Sequence, residues 1–196
     1  MLSLSAGSSF NRHFEELNII PVSISYEYDP CDVEKVRSIY GQRYLGGYKK
    51  KHKEDEDSMK NGILGYKGRI NIHFGKPIID EIRLLPEELH KNEKFTLIRH
   101  LIDDQIISGY KLWPTNLIAY DLFENTNPDY TSYTMEQQEK FIQIVEGKVD
   151  RMEGEKGDLR SIFYEIYARP AINARKYLSD GTLYPEDQNY FENSSK

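Results

Sequence analysis

A chain of 196 residues with 38% hydrophobic and 30% charged residues, and with 15 Tyr and 8 Phe to pack, fits a polar-surfaced globular fold and not a disordered segment. A net charge of −6 excludes a general nucleic-acid binder, which needs a basic face to release counterions. The single cysteine, Cys31, excludes an internal disulfide and a cysteine-rich zinc site; with no polybasic anchor and no apolar run of membrane-spanning length, the chain reads as cytoplasmic.

Taken in chain order, Ser8 or Ser9 is placed to cap a short helix whose apolar positions Phe10, Phe14 and Leu17 recur at helical spacing, with Asn18 ending it. Ile19 to Ile24 predicts a buried strand with Ile20, Val22 and Ile24 on one face. Pro21 restricts that strand to an edge, a start or an irregular position, because it has no N–H to give. Asp29-Pro30 predicts a turn, and Asp32 a cap for a helix from Val33 to about Arg43. The run KKKHKEDED, Lys49 to Asp57, reads as a solvated loop. Lys67 to Phe74 alternates Ile70, Ile72 and Phe74 against Arg69, Asn71 and His73, which predicts a half-buried strand closed by Gly75-Lys76-Pro77. Two strands separated by helix and loop predict a crossover in an α/β sheet.

The remainder predicts helices. Phe95, Ile98, Leu101, Ile102 and Ile106 make one apolar stripe; Phe141, Val145, Val149 and Met152 make another. Leu159, Ile162, Phe163, Ile166 and Tyr167 make a third, with Asp158 as its cap. Between the first two lies YKLWPTNLIAYDLF, interrupted by Pro114. The chain thus divides into an α/β part over residues 1–80, a mainly α-helical extension over 81–178 and a polar tail over 179–196. Two strands cannot hold a sheet by themselves, so further sheet-forming elements are expected to precede Phe10.

The strings IIPVSISYEYDPCD, GILGYKGRINIHFGKPI and IYARPAIN resemble the C-terminal portion of the lysophosphatidate (1-acylglycerol-3-phosphate) acyltransferase family, in particular its glycerol-acyltransferase-like members of the Bacteroidetes type. The likeness runs from about Leu2 to about Tyr177. It makes Pro21, Val22, Ser23 and Ile24 the family's fourth conserved block, a wall of the acyl pocket, and Ile70 to Ile78 a later strand with its Gly-x-Pro-Ile turn. It implies an α/β fold that is the C-terminal remnant of an acyltransferase sheet followed by helices. In the complete family member a His-x-x-x-x-Asp motif deprotonates the glycerol hydroxyl that attacks an acyl thioester. Acyl-carrier protein or acyl-CoA would be the donor, and the protein would touch the cytoplasmic face of the inner membrane. Neither cofactor nor metal is implied. The family's catalytic and phosphate-binding blocks precede its fourth block. With nine residues before Phe10 they have no room here, so the chain alone is expected to be inactive, as a shortened frame, a split gene or an internal start would leave it.

One decoy satisfies the catalytic spacing: His52 and Asp57, in HKEDED. They follow the fourth block, lie within a lysine and carboxylate run and have no apolar strand to desolvate them, so no catalytic role is assigned to them. His100 with Asp103 and Asp104 reads as a surface ion pair on a helix, and His13 and His73 as surface groups. Ser23 and Ser25 lack a Gly-x-Ser-x-Gly elbow, and Gly46-Gly47 and Gly62-x-x-Gly65 lack the pattern of a nucleotide loop. A non-enzymatic alternative has the chain docking an acyl-carrier protein or a separate N-terminal half, with Lys49, Lys50, Lys51 and Lys53 as the contact for an acidic carrier.

Overall fold

The structure is a computed structural model that describes residues 9–50 and 52–180, so the start Met1-Leu2-Ser3, the alternative cap Ser8, Lys51 and most of the polar tail lie outside it. The fold is mostly helical with one small antiparallel sheet, compatible with a mixed α/β class. The chain forms two compact units, each discontinuous in sequence. One comprises Met1–Ile24, Ile72–Tyr110 and Asn173–Lys196; the other comprises Ser25–Asn71 and Lys111–Ile172.

In the first unit, α1 (Phe10–Glu16) starts at Ser9, whose hydroxyl accepts the Arg12 N–H at 3.3 Å, and stops at Asn18, which adopts the left-handed conformation at φ 48°. Phe10 stacks on Phe14 at 4.6 Å, and both meet the edge of Phe95. Phe14 packs with Ile78, Ile82, Leu85, Leu97 and Ile98, which brings together α1, α4 (Ile79–Arg83) and α5 (Lys91–Ser108). The α5 stripe is rotated from the predicted one. Leu97, Ile98 and Ile107 are buried and Phe95 stands at the rim, because Lys94, only 2% exposed, takes an inward position. Its ammonium donates to Asn11 Oδ1 at 3.1 Å and Glu87 Oε2 at 3.4 Å, while Asn11 donates to the Leu85 carbonyl at 2.8 Å. A buried cation is tolerated only with such partners.

The strands β1 (Val22–Tyr26) and β2 (Ile70–Phe74) pair directly and antiparallel, not through the predicted crossover. The Gly75 N–H donates to the Pro21 carbonyl at 2.8 Å and the Glu27 N–H to the Arg69 carbonyl at 3.0 Å, which sets the register. Val22 therefore stands opposite Phe74 and Ile24 opposite Ile72; on the other face Ser23 stands opposite His73. Pro21 sits just before the strand, where no ladder N–H is required of it.

The second unit holds the larger core. Val36, Ile118, Phe141, Val145, Val149, Leu159, Ile162 and Phe163 are buried together. They come from α2 (Asp32–Tyr44), α6 (Pro114–Glu124), α7 (Met135–Val149) and α8 (Lys156–Asp180), the last of which continues beyond Ile172. Pro114 begins α6 instead of interrupting a helix, since the first turn needs no N–H from it. Thr134 caps α7 through a reciprocal box with Gln137. The predicted loop KKKHKEDED is in part a helix: α3 (Glu54–Leu64) places Glu54, Asp55, Glu56 and Asp57 in its first turn, where carboxylates favour the positive end of the helix dipole. Asp158 lies inside the first turn of α8 and does not precede it as a cap.

Candidate functional site

In the first unit the two strands expose their apolar residues. Val22 is 39%, Ile24 49%, Ile72 55% and Phe74 70% exposed, and Ile20 extends the same strip. The alternation predicted from sequence is present and Ile20, Val22 and Ile24 lack cover, but the half-burial predicted for Ile70, Ile72 and Phe74 is absent. On the other face cover is confined to β1 at Ser23, since His73 opposite it is exposed. Ser23 is buried with its hydroxyl unpartnered, and Gly109, just past α5, approaches so closely that a Cβ there would lie 2.7 Å from Ser23 Oγ and collide with the His73 ring. A solvated antiparallel sheet ordinarily buries its apolar face and wets its polar one. Of the predicted pocket wall, Pro21 and Ser23 thus point inward, and Val22 and Ile24 form the outer face together with two residues of β2.

Two adjoining clefts lie among the described residues of the second unit. The larger, 690 Å³, is lined by Tyr28, Asp29, Asp32, Tyr66, Lys148 and Arg151 among others, and falls within the size range of small-molecule sites. Its floor is a polar network. Asp32, read from sequence as a helix cap, is instead the first residue of α2 and is buried. One of its oxygens accepts from the Lys148 ammonium and from the Tyr167 hydroxyl at 2.7 Å, and the Tyr167 oxygen in turn accepts the Asp29 N–H at 3.0 Å. Burial, and then the neighbouring Asp32 charge, push the Tyr167 hydroxyl well above its ordinary range. The carboxyl of Asp29 accepts from Lys35 at 2.5 Å and from the Cys31 N–H at 2.9 Å, which builds the Asp29-Pro30 turn. The aromatic wall is Tyr28 beside Tyr66, ring centres 5.6 Å apart. The smaller cleft, 430 Å³, shares Arg37, Arg151 and Met152 with the larger one and adds Tyr40, Tyr48 and Lys49. Burial and the hydrogen bond to Glu54 at 2.5 Å push Tyr48 up to about 12.

The remaining sequence candidates do not assemble a reaction centre. His52 is exposed in a turn and Asp57 is exposed in the first turn of α3, with no apolar wall against either. Lys50 pairs with Asp55 at 2.5 Å, while Lys49 and Lys53 are exposed and Lys51 lies outside the described residues. His100 lies 3.1 Å from an Arg99 nitrogen, and one ring nitrogen of His13 is buried without a partner, so His13 is not the surface group it resembles in sequence. Among the described residues no three His, Cys, Asp or Glu side chains converge as a metal site would require, and no helix is long and apolar enough to cross a membrane. Sequence reasoning missed the Asp32–Lys148–Tyr167 network because its members come from three helices. The only local signal was an acidic residue followed at once by a helical pattern, which equally describes a cap.

Comparison with known protein families, characterised protein sequences and solved structures finds no match to this chain.

Proposed function

We propose that the chain is a non-catalytic portion of a lysophosphatidate-type acyltransferase, and that the outer face of its two strands is the surface on which the catalytic portion packs. The observation that carries the proposal is the outward apolar face. Val22 with Phe74 and Ile24 with Ile72 form two cross-strand pairs of large side chains left in water, while on the opposite face the small polar Ser23 is buried. Fully burying such a side chain contributes about 1.5–3 kcal/mol, so a partner that covered these four would gain about half that from each. Contiguous apolar patches of this kind mark interaction surfaces. The same four positions fall in the two strings that resemble the acyltransferase strands, which is why an acyltransferase catalytic portion is the occupant named. In the complete assembly an acyl group would pass from acyl-CoA or acyl-carrier protein to a lysophosphatidate hydroxyl. Pro21 to Ile24 would serve as structural wall, and His52 and Asp57 would take no part.

The test is an acyl-transfer assay with palmitoyl-CoA and lysophosphatidate. The purified chain alone gives no turnover. Co-expressed with the N-terminal portion of a lysophosphatidate acyltransferase, it co-purifies and yields activity, and Ile24→Asp/Phe74→Asp abolishes both. Turnover by the chain alone that disappears in His52→Ala overturns the proposal. Co-purification that ignores the Ile24→Asp/Phe74→Asp change does so as well. Capture of acyl-carrier protein by the wild-type chain, lost on removing Lys49 and Lys53, would replace it with a carrier-docking role.

A further inference from the structure

We propose that Arg37 and Arg151 form a binding site for a sugar phosphate, with the phosphate in the smaller cleft of the second unit and the hydroxylated body in the larger. The site does not depend on the acyltransferase reading. Its first support is the pairing of the arginines. Arg12, Arg43, Arg69, Arg83, Arg160 and Arg169 each carry a carboxylate partner; among the described residues Arg37, Arg99 and Arg151 show none, Arg99 lying against His100, and of these Arg37 and Arg151 line both clefts. Most of the guanidinium groups in this acidic chain are spent on carboxylates, so two without one that converge on the same pair of clefts mark a site for an anion from outside.

The neighbouring charges agree. The smaller cleft is lined by Arg37, Arg151 and Lys49 against a single carboxylate, Glu153. In the larger cleft the acidic groups already have partners: Asp29 is held by Lys35, Asp32 by Lys148 and Tyr167, and Glu34 accepts from Asn61 at 2.8 Å. The positive excess therefore lies on the smaller-cleft side. Arg151 is also oriented in advance, because its Nε donates to the Gly147 carbonyl at 2.8 Å and leaves the two terminal nitrogens to make a forked contact.

The larger cleft selects the organic part. Tyr28 and Tyr66 present aromatic faces, while Asn61 and Glu34 keep spare acceptor capacity beside them. Flat aromatic rings and acceptors together suit the C–H faces and hydroxyls of a sugar better than an acyl chain, and the cleft's 690 Å³ accommodates a hexose.

Isothermal titration calorimetry with glucose 6-phosphate, glucose and inorganic phosphate tests the proposal. Glucose 6-phosphate should bind at least about tenfold tighter than either fragment, and Arg37→Gln and Arg151→Gln should each weaken it about tenfold or more. Arg12→Gln, which removes a paired surface arginine, should leave it unchanged. Thermal melting of the two cleft variants should nearly match the wild type, since both side chains are exposed and neither has a carboxylate partner; a lowered melting temperature directs the test to Arg37→Lys, which keeps the charge and loses the fork. Glucose 6-phosphate that binds no tighter than inorganic phosphate overturns the proposal. So does affinity insensitive to both arginines, or no saturable binding by about 10 mM.

Discussion

The outer face of the strand pair and the core of the second unit use the same kinds of residue to opposite ends. Phe163, Ile118 and Val145 are all but inaccessible and bind four helices together, whereas Phe74, Ile72 and Val22 lie open. What separates them is depth of cover. A helix buries its stripe against neighbours on either side, but a pair of strands has two faces, and α5 with Gly109 reaches only one of them. Apolar periodicity therefore tells which residues share a face and leaves open what covers that face.

The sharpest way to test the contrast is to truncate one ring in each place. Phe163→Ala should cost about 3–5 kcal/mol in urea unfolding, through lost transfer energy and the cavity left behind. Phe74→Ala should stay within about 0.5 kcal/mol, because most of its ring already meets water. A Phe74→Ala cost approaching that of Phe163→Ala would mean that the strand face is covered in solution. A smaller effect probes the network under the larger cleft. Tyr167→Phe deletes one buried donor to Asp32 and one part-buried acceptor for the Asp29 N–H, and should cost about 1–3 kcal/mol by the same measurement.

The smallest effect expected is a pH dependence in the second unit. The Glu165 carboxyl is held below the usual carboxylate range mainly by hydrogen bonds from Arg43 at 2.7 and 3.0 Å, with Arg169 adding a contact at 2.7 Å; partial burial opposes them. Arg160 does the same for Glu146. A carboxyl that is more acidic in the folded chain stabilises it above the unfolded value, near about 4.3, and that contribution fades as pH falls through the folded value. Urea midpoints measured from pH 7 downward should therefore decline below about pH 5, and Glu165→Gln should flatten the decline by about 1 kcal/mol or less. An unchanged slope in Glu165→Gln would assign the acid sensitivity to other groups.

Much of the helical layout was legible in the sequence. The Phe141–Val145–Val149 and Leu159–Ile162–Phe163 stripes are buried as their spacing predicts, and Asn18 does end the first helix. The misses have physical causes. The stripe on α5 is rotated because Lys94 finds Asn11 and Glu87, partners distant in sequence that outweigh its intrinsic preference for water. KKKHKEDED gains a helical turn from acidic residues at a helix start, a signal that a count of charges hides. At the strands the alternation was readable, but β1 runs Val22–Tyr26 and not Ile19–Ile24, β2 starts at Ile70 and not Lys67, and pairing partner, direction and cover were not readable, because none of these is a local property.

The strand pair also has a consequence in time and concentration. Within the second unit, carbonyls at and just past the end of β1 are taken: the Trp113 indole donates to the Ser25 carbonyl at 3.2 Å and the Thr115 hydroxyl to the Glu27 carbonyl at 2.7 Å. For β2, the described residues show backbone pairing with β1 alone. A short strand with an apolar outer face and one side open is a template on which another strand can add. On the proposed assembly, each newly made copy would enter a race between capture by the catalytic portion and pairing with its own kind. Capture scales with the neighbour's concentration and self-pairing with that of the chain itself, so the ratio at which the two are made becomes a determinant of how much stays usable.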